Sequence, residues 1–240
     1  MKKYIKKLIH YYHPLAKFER NRLQCIKKYN YPSEILNILQ NKPPQLYDKI
    51  EDLSFLVIDF ETTGLNSFID NILSIATTPI DNLTINISKS THVFIKNNSV
   101  KKETVIINHI VPEMLINTSS LDDAMNELFK LMKNRILVAH GSNIEKRFIH
   151  HYLSTKYNIT YLPVLWIDTL RLARSFQKSN KQIIPNYQLA NIRKDYNLPE
   201  YISHNALIDT IATAELFLAE LHHLFGKKQK TLGEIYKRSL

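Results

Sequence analysis

The stretch Phe55-Leu56-Val57-Ile58-Asp59-Phe60-Glu61-Thr62-Thr63-Gly64-Leu65 joins an apolar, strand-forming run to two acidic residues and a glycine-containing turn. On an extended chain the side chains of Asp59 and Glu61 point to the same side, because successive side chains alternate between the two faces. Two like charges at the end of a buried strand repel each other and lose hydration. A cation between them removes that cost, so the stretch predicts a divalent-metal site.

The positive charge of the chain is concentrated in its two ends. The net charge is +10 over 240 residues, of which residues 1–50 contribute +8, residues 227–240 contribute +4 and residues 51–226 contribute −2. Such basic ends favour a polyanionic partner, either nucleic acid or an anionic membrane surface, and a merely solvated face is the alternative. Cys25 is the single cysteine, which excludes a disulfide framework and a cysteine metal site. With no apolar run approaching ~20 residues, we expect no membrane span and a cytoplasmic location.

The apolar pattern divides the chain into three parts. Residues 1–50 are predicted to form a basic helical N-terminal extension, with helices at 1–13, 15–29 and from 33 onward. Packing against the main domain is the commonest fate of such apolar helix faces, and binding to nucleic acid, a membrane or a partner protein is the alternative. Residues 51–226 form the main domain, and residues 227–240 form a basic C-terminal tail with one or two further helical turns.

The main domain is predicted to be α/β. Strands are expected at 55–60, 71–80, 84–95, 135–140 and 164–167, helices at 121–132, 142–157, 168–176, 187–196 and 204–225, and a polar loop at 177–185. Three consecutive strands followed by alternating helices and strands predict a mixed central sheet flanked by helices.

Three later acidic residues lie where a buried carboxylate would be unusual without a cation: Glu145, Asp168 and Asp209. Hard oxygen ligands suit Mg²⁺ or Mn²⁺, and two such ions form the clamp used in phosphodiester cleavage. His204 precedes Asp209 by five residues, outside the predicted helix or in its first turn. Because histidine titrates close to neutral pH, His204 is a candidate general base.

Three segments resemble, in order, the motifs of the DnaQ-like, or DEDDh, 3′→5′ exonucleases. The first is Asp59-Phe60-Glu61-Thr62-Thr63-Gly64-Leu65, and the second is His140-Gly141-Ser142-Asn143-Ile144-Glu145-Lys146-Arg147-Phe148-Ile149. The third, His204-Asn205-Ala206-Leu207-Ile208-Asp209, follows the pattern His-x-Ala-x-x-Asp. Residues 107–111 and 166–174 also resemble family segments, so the resemblance covers roughly residues 55–225. It implies an RNase H-like exonuclease fold.

The resemblance implies a role for each motif residue. Asp59, Glu61, Glu145 and Asp209 would hold two divalent metal ions, Mg²⁺ or Mn²⁺, and His204 would accept the proton of the attacking water. A second set would contact the 3′-terminal nucleotide: Thr62, Thr63, Gly64, Leu65 and His140. Asp168 is not among the family's metal ligands, and we interpret it as the N-cap of the following helix.

The sequence departs from the family pattern at several positions. Glu145 stands where the family usually has Asp, which keeps the charge but adds one methylene group. Gly141 and Ser142 follow the second-motif histidine, Thr210 replaces the common Ala after the last Asp, and Asn108 replaces a usual His. These changes affect the expected substrate contacts more than the expected catalysis.

The combined prediction is a metal-dependent 3′→5′ exonuclease that releases nucleoside 5′-monophosphates from single-stranded or frayed DNA ends, with a role in DNA replication or repair. Nucleic acid is the expected partner, with DNA favoured over RNA and a polymerase or other protein as a further partner. Two alternatives stay open: an exoribonuclease that trims RNA 3′ ends, like RNase T or oligoribonuclease, and a non-catalytic nucleic-acid-binding module.

Overall fold

The computed structural model describes residues 11–97, 110–180, 186–202, 204–226, 228–229 and 231–240. Most of the helix predicted at 1–13 and most of the family-like segment at 107–111, including Asn108, lie outside these residues. Among the described helices, none is both long and apolar enough to cross a membrane.

The helices and strands follow the predicted order. The helices are α1 (Pro14–Lys28), α2 (Ser33–Leu39), α3 (Leu121–Met132), α4 (Asn143–Tyr157), α5 (Thr169–Asn180), α6 (Leu189–Asp195), α7 (Ala206–Phe225) and α8 (Leu232–Arg238). The strands are β1 (Phe55–Thr62), β2 (Ile72–Asp81), β3 (Thr84–Ile85), β4 (Thr91–Phe94), β5 (Ile136–Ala139) and β6 (Trp166–Asp168). Short 3-10 turns lie at Ile50–Asp52, Ile87–Lys89 and Pro112–Leu115.

The strands form one mixed sheet in the order β3-β2-β1-β5-β6, with β4 also paired to β2. The β1–β2 pair is antiparallel, while β1–β5 and β5–β6 are parallel. The continuous strand predicted at 84–95 is wrong. Asn86 leaves the extended conformation (φ −102°, ψ 76°) and opens the 3-10 turn Ile87–Lys89, so this segment supplies two short strands, both paired to the ten-residue β2.

The two faces of β1 belong to different layers of the protein. Leu56 and Ile58 lie in an apolar cluster with residues of α3 and α4. Phe55 and Val57 lie in a second cluster with α7, where the rings of Phe55 and Phe217 are 5.1 Å apart. Because side chains alternate along a strand, Asp59 and Glu61 lie on the same face of β1 as Phe55 and Val57, which is the face covered by α7.

Both ends of the described chain pack against this sheet domain, as expected for the apolar helix faces. Ile35 of α2 is buried in the first cluster, while Phe18 of α1 and Tyr236 of α8 meet in the second with ring centroids 6.2 Å apart. Residues 46–49 and 231–233 also pair through their main chains, and we call this pairing the clasp. The Leu232 amide donates to Asp48 (3.0 Å) and the Gly233 amide donates to Leu46 (3.0 Å).

The segment after β6 is more helical than predicted. Helix α5 continues to Asn180, through the first part of the polar loop expected at 177–185, and residues 181–185 lie outside the described part of the chain. Helix α6 begins at Leu189, close to the predicted start.

Candidate active site

Three carboxylates converge at the end of β1. One oxygen each from Asp59, Glu61 and Asp209 lies within 4.8 Å of the other two. Asp59 and Glu61 are brought to one side by the strand alternation, opposite Ala76 and Ser74 of β2. Helix α7 packs on that same side, and its first turn carries Asp209. The third and first motifs therefore meet because a helix covers the acidic face of the strand.

Glu145 supplies a fourth carboxylate beside this cluster. It lies in the first turn of α4, which follows β5, and β5 runs parallel to β1 up to the Val57–Val138 pair. The strand–helix connection therefore leaves the sheet next to Asp59. Glu145 is 4% exposed, and its Oε2 atom has no hydrogen-bond partner within the described residues. A buried carboxylate oxygen without a hydrogen-bond partner fits a donor to a metal ion rather than a surface acid.

The four carboxyl groups, two buried and two half-buried, have raised pKa values because they lie together away from bulk water. Burial, and then the charges of Glu145, Asp209 and Glu61, raises the pKa of Asp59 well above its ordinary value. Burial raises the pKa of Glu61 to about 7 and that of Glu145 to about 8. Burial also raises the pKa of Asp209, against the opposing hydrogen bond from the His204 amide. Clustered hard oxygen donors that resist ionisation without a counter-charge fit a divalent metal ion.

His204 stands at the mouth of the cluster, immediately before α7. Its backbone is left-handed (φ 66°), and its amide donates a hydrogen bond of 3.0 Å to Asp209 Oδ2. The next residue, Asn205, caps the helix by accepting from the amides of Leu207 and Ile208. The His204 side chain is exposed. Asp209, itself a candidate metal ligand, thus fixes the main chain of His204, while the imidazole stays exposed to solvent.

The turn after the two acids is held by a carboxylate that the sequence analysis missed. Asp70 accepts hydrogen bonds from the Thr63 hydroxyl (3.1 Å) and from the Asn66 amide (2.8 Å). The same Thr63 hydroxyl accepts from the Asn71 amide (3.0 Å). A Cβ on Gly64 would lie 2.6 Å from an Asp70 oxygen, so a larger residue at this position would displace the Asp70 carboxylate. The sequence gives only a weak signal for this contact, which is the acidic residue Asp70 at the end of a turn that contains Gly64.

The predicted substrate residues have different surroundings. The Thr62 hydroxyl donates to the Gly64 carbonyl (2.7 Å), while the Leu65 side chain is 65% exposed beside the turn. Both ring nitrogens of His140 have partners within the protein, the Thr169 hydroxyl at 2.8 Å and the Tyr187 carbonyl at 2.9 Å. Burial lowers the pKa of His140. These contacts give His140 a structural role, and its contact with substrate stays a prediction.

Asp168 lies outside the carboxylate cluster and supports it indirectly. One of its oxygens accepts from the Arg171 amide (3.3 Å), which confirms the predicted N-cap of α5. The carboxylate also accepts from the amides of Gly141 (3.1 Å) and Ser142 (3.0 Å) and from the Ser142 hydroxyl (2.9 Å). Gly141 is left-handed (φ 79°), and Asp168 therefore holds the turn that leads into α4 and Glu145.

Thr210, another departure from the family pattern, ties the start of α7 to the sheet. Its buried hydroxyl lies 2.8 Å from the Thr78 hydroxyl of β2 and donates to the Leu207 carbonyl at 2.8 Å. The Thr78 hydroxyl lies 3.0 Å from that of Ser90. This hydroxyl chain fixes the helical turn that presents Asp209.

Comparisons with known proteins agree on one family. The RNase T family model, described as exonuclease, matches residues 56–217, about two thirds of the chain. The chain is 32% identical over 174 residues to the PolC-type DNA polymerase III of Thermotoga petrophila, covering 72% of this chain and 12% of that protein. It is 28% identical over 176 residues to the DNA polymerase III epsilon subunit of Treponema pallidum, covering 72% of this chain and 79% of that protein. The chain thus spans only a small part of the PolC-type relatives.

Solved structures share the architecture. The nuclease domain of 3′hExo, a DEDDh family member bound to rAMP, has a TM-score of 0.61 at 15% identity, covering 79% of this chain and 98% of that chain. Exonuclease X in complex with 5′ overhanging duplex DNA has a TM-score of 0.56 at 20% identity, covering 76% of this chain and 99% of that chain. These likenesses confirm the predicted RNase H-like exonuclease fold.

Proposed function

The chain belongs to the exonuclease family whose model matches residues 56–217, and from that premise we propose that it is a metal-dependent 3′→5′ exonuclease. The observation that carries the proposal is the convergence of Asp59, Glu61 and Asp209 within 4.8 Å, with buried Glu145 beside them. The substrate is single-stranded or frayed DNA, and the products are nucleoside 5′-monophosphates. The names of the PolC-type and epsilon relatives support DNA, a role in replication or repair, and a polymerase as partner.

Four residues hold the metal ions in this proposal: Asp59, Glu61, Glu145 and Asp209. Two ions, Mg²⁺ or Mn²⁺, suit hard carboxylate oxygens, and when bound they lower the pKa of the attacking water and balance charge on the scissile phosphate. The raised carboxyl pKa values of Glu61 and Glu145 mean that cation binding competes with protons. Binding should therefore strengthen as the pH rises through about 7–8.

His204 accepts the proton of the attacking water in this proposal. The hydrogen bond from its amide to Asp209 holds its main chain beside the carboxylates. Its exposed imidazole is in contact with solvent, to which an accepted proton can be released. The base is thus anchored at the backbone and free to rotate at the side chain.

The turn at 62–65 receives the 3′-terminal nucleotide. The hydrogen bonds that the Thr63 hydroxyl and the Asn66 amide donate to Asp70 fix this turn, so the exposed Leu65 is presented on a rigid support and packs against a base. We assign the catalytic domain to residues 51–226, with 1–50 and 227–240 as additions whose described helices, α1, α2 and α8, pack on it.

Digestion of 5′-labelled DNA and RNA oligonucleotides of one sequence, with Mg²⁺ or Mn²⁺, tests the proposal. Wild type should shorten the DNA stepwise from its 3′ end, and Asp59→Asn should not. His204→Ala should lose about 10²-fold or more in rate, the share expected of a general base. The matched control is Asp52→Asn, which removes an exposed carboxylate outside the site and should act like wild type.

Two outcomes would correct the proposal. Equal mononucleotide release by wild type and Asp59→Asn would remove the enzyme assignment and leave a nucleic-acid-binding module. Faster digestion of RNA than of DNA would replace the DNA substrate by RNA 3′ ends.

A further inference from the structure

A basic groove lies between α5, the end of α7 and α8, with a volume of about 830 Å³. Five cationic side chains line it: Arg171, Arg174, Lys228, Lys237 and Arg238. Glu234 is the one acidic side chain among its described lining residues. We propose that this groove binds backbone phosphates of the nucleic-acid strand on the 5′ side of the cleaved end. The proposal rests on the proposed exonuclease function and adds a second contact surface to it.

Two of the five groove cations lie over aromatic rings, while Arg171 lies beside the Asp168 carboxylate. The guanidinium of Arg174 lies 4.5 Å from the ring centre of Tyr187, and that of Arg238 lies 5.9 Å from the ring centre of Phe176. Stacking on an aromatic face fixes the guanidinium plane while its charge and N–H donors remain suited to phosphate. Glu234 is engaged by the Thr231 hydroxyl at 3.3 Å. The groove therefore carries a surplus of positive charge.

One lining residue of the groove contacts a residue that supports the catalytic site. Arg171 Nε lies 3.8 Å from Asp168 Oδ2, and Asp168 holds the turn that leads to Glu145. Arg171 and Arg174 are three residues apart on α5 and so lie on the same helix face. Lys237 and Arg238 of α8 line the same groove. In the proposal, a strand whose 3′ end lies among the carboxylates extends past Arg171 into this groove.

The lining favours a nucleic-acid strand over a membrane surface. Binding to an anionic membrane usually combines cations with exposed apolar side chains that enter the lipid. Leu240 is the exposed large apolar side chain among the described lining residues, and the surface is concave. A row of cations in a concave groove is the electrostatic form that follows a phosphate backbone.

The test removes two exposed lysines of the groove, Lys228→Gln together with Lys237→Gln. The control removes two exposed lysines on the other side of the sheet, Lys130→Gln in α3 together with Lys133→Gln just after it. Binding of an oligothymidylate of about 20 nucleotides is followed by fluorescence anisotropy between about 50 and 200 mM salt, in the Asp59→Asn background. Catalysis is measured separately, without that substitution, on the p-nitrophenyl ester of thymidine 5′-monophosphate, a substrate too short to reach the groove.

The groove variant should bind about tenfold more weakly at low salt, with a log–log salt slope smaller by about 1.4, since each lost phosphate contact removes about 0.7. Its ester hydrolysis should stay within twofold of wild type. Affinity and slope equal to those of the control variant would overturn the groove proposal. In a parallel sedimentation assay with phosphatidylserine vesicles, a groove variant that loses binding to the vesicles but not to the oligonucleotide would also overturn it. Failure of the wild-type protein to hydrolyse both ester and DNA would instead overturn the proposed function, because the binding measurement does not depend on catalysis.

Discussion

Replacing Asp59 by Asn should stabilise the metal-free protein while removing its response to metal. Asp59 is half-buried beside three other carboxyl groups, and burial, followed by their charges, raises its pKa. An amide of nearly the same shape carries no charge, so it relieves the repulsion without opening a cavity. The same change removes one proposed metal ligand. If Asp59 holds a cation, its replacement by Asn should therefore raise the stability of the metal-free protein and reduce the stabilisation that the metal ion provides.

The expected gain in the free energy of unfolding follows from the distance between the carboxylates. Two ionised carboxylates separated by 4.8 Å, the limit within which the oxygens of Asp59, Glu61 and Asp209 lie, repel by about 3.5 kcal/mol at an effective dielectric constant near 20. Protonation relieves part of this cost, because the pKa of Glu61 is raised to about 7. We therefore expect a gain of about 2 kcal/mol at pH 8.5, which corresponds to a rise of roughly 4–8 °C in Tm for a chain of this size.

The pH dependence has a defined sign. A carboxyl group whose pKa is raised in the folded state binds more protons there than in the unfolded chain, so stability falls as the pH rises from the ordinary carboxyl range towards the raised pKa. For Glu61 and Glu145 that window runs from about 4.5 to about 7–8. The advantage of Asp59→Asn should thus be small near pH 5 and complete above pH 8.

Thermal unfolding in EDTA and in Mn²⁺ at these pH values provides the assay. Wild type should gain about 2.7 kcal/mol when the ion is present at a hundred times its Kd, and Asp59→Asn should gain much less. Asp52→Asn serves as the control for loss of an exposed carboxylate. A variant that melts below wild type in EDTA at pH 8.5, and gains as much from Mn²⁺ as wild type, would refute the reasoning.

Three further predictions concern single residues around the site and in the core. Gly64→Ala should cost about 1–3 kcal/mol in chemical denaturation, because the new Cβ meets the Asp70 carboxylate, and adding Asp70→Ser should recover most of the loss. Glu145→Asp should retain exonuclease activity within about tenfold, whereas Glu145→Gln should lose at least a further tenfold, since charge matters more than length for a metal ligand. Glu220 is fully buried on α7, its oxygens have no hydrogen-bond partner within the described residues, and burial raises its pKa. The Tm of Glu220→Gln should therefore exceed that of wild type increasingly as the pH rises above about 4.5, and an equal difference at pH 5 and pH 9 would contradict this.

The sequence predicted the parts of the site that follow local periodicity. The alternation around Asp59 and Glu61 fixed which face of the strand is acidic, and the helical pattern around Glu145 and Asp209 placed each of them in the first turn of a helix. The strand alternation and the helical period, together with the order of the motifs, were enough to predict the fold class. The same reasoning failed at 84–95, where the apolar pattern continues across Asn86 although the backbone turns there.

The hydrogen bonds that support the site join residues that are separated in the sequence, so they produce no periodic pattern in it. Asp70 closes a turn through hydrogen bonds to residues on the other side of a glycine, and Thr210 reaches a hydroxyl 132 positions away in the chain. Asp168 was correctly interpreted as a helix cap, but its second contact, with the Gly141–Ser142 turn, joins segments 26 residues apart. Local propensity cannot specify such pairs, because each partner is an ordinary polar residue in its own neighbourhood.

The clasp can form only late in synthesis, because it joins residues 46–49 to residues 231–233. Residues 46–49 leave the ribosome long before residues 231–233 exist to pair with them, and α1 lacks the Tyr236 ring on which Phe18 packs until then. Contacts between such distant segments carry a large loop-closure cost and form late. The clasp can therefore close only after the sheet from β1 to β6 has been synthesised. Because Gly233 leaves no room for a side chain against Leu46, this late closure depends on glycine at position 233.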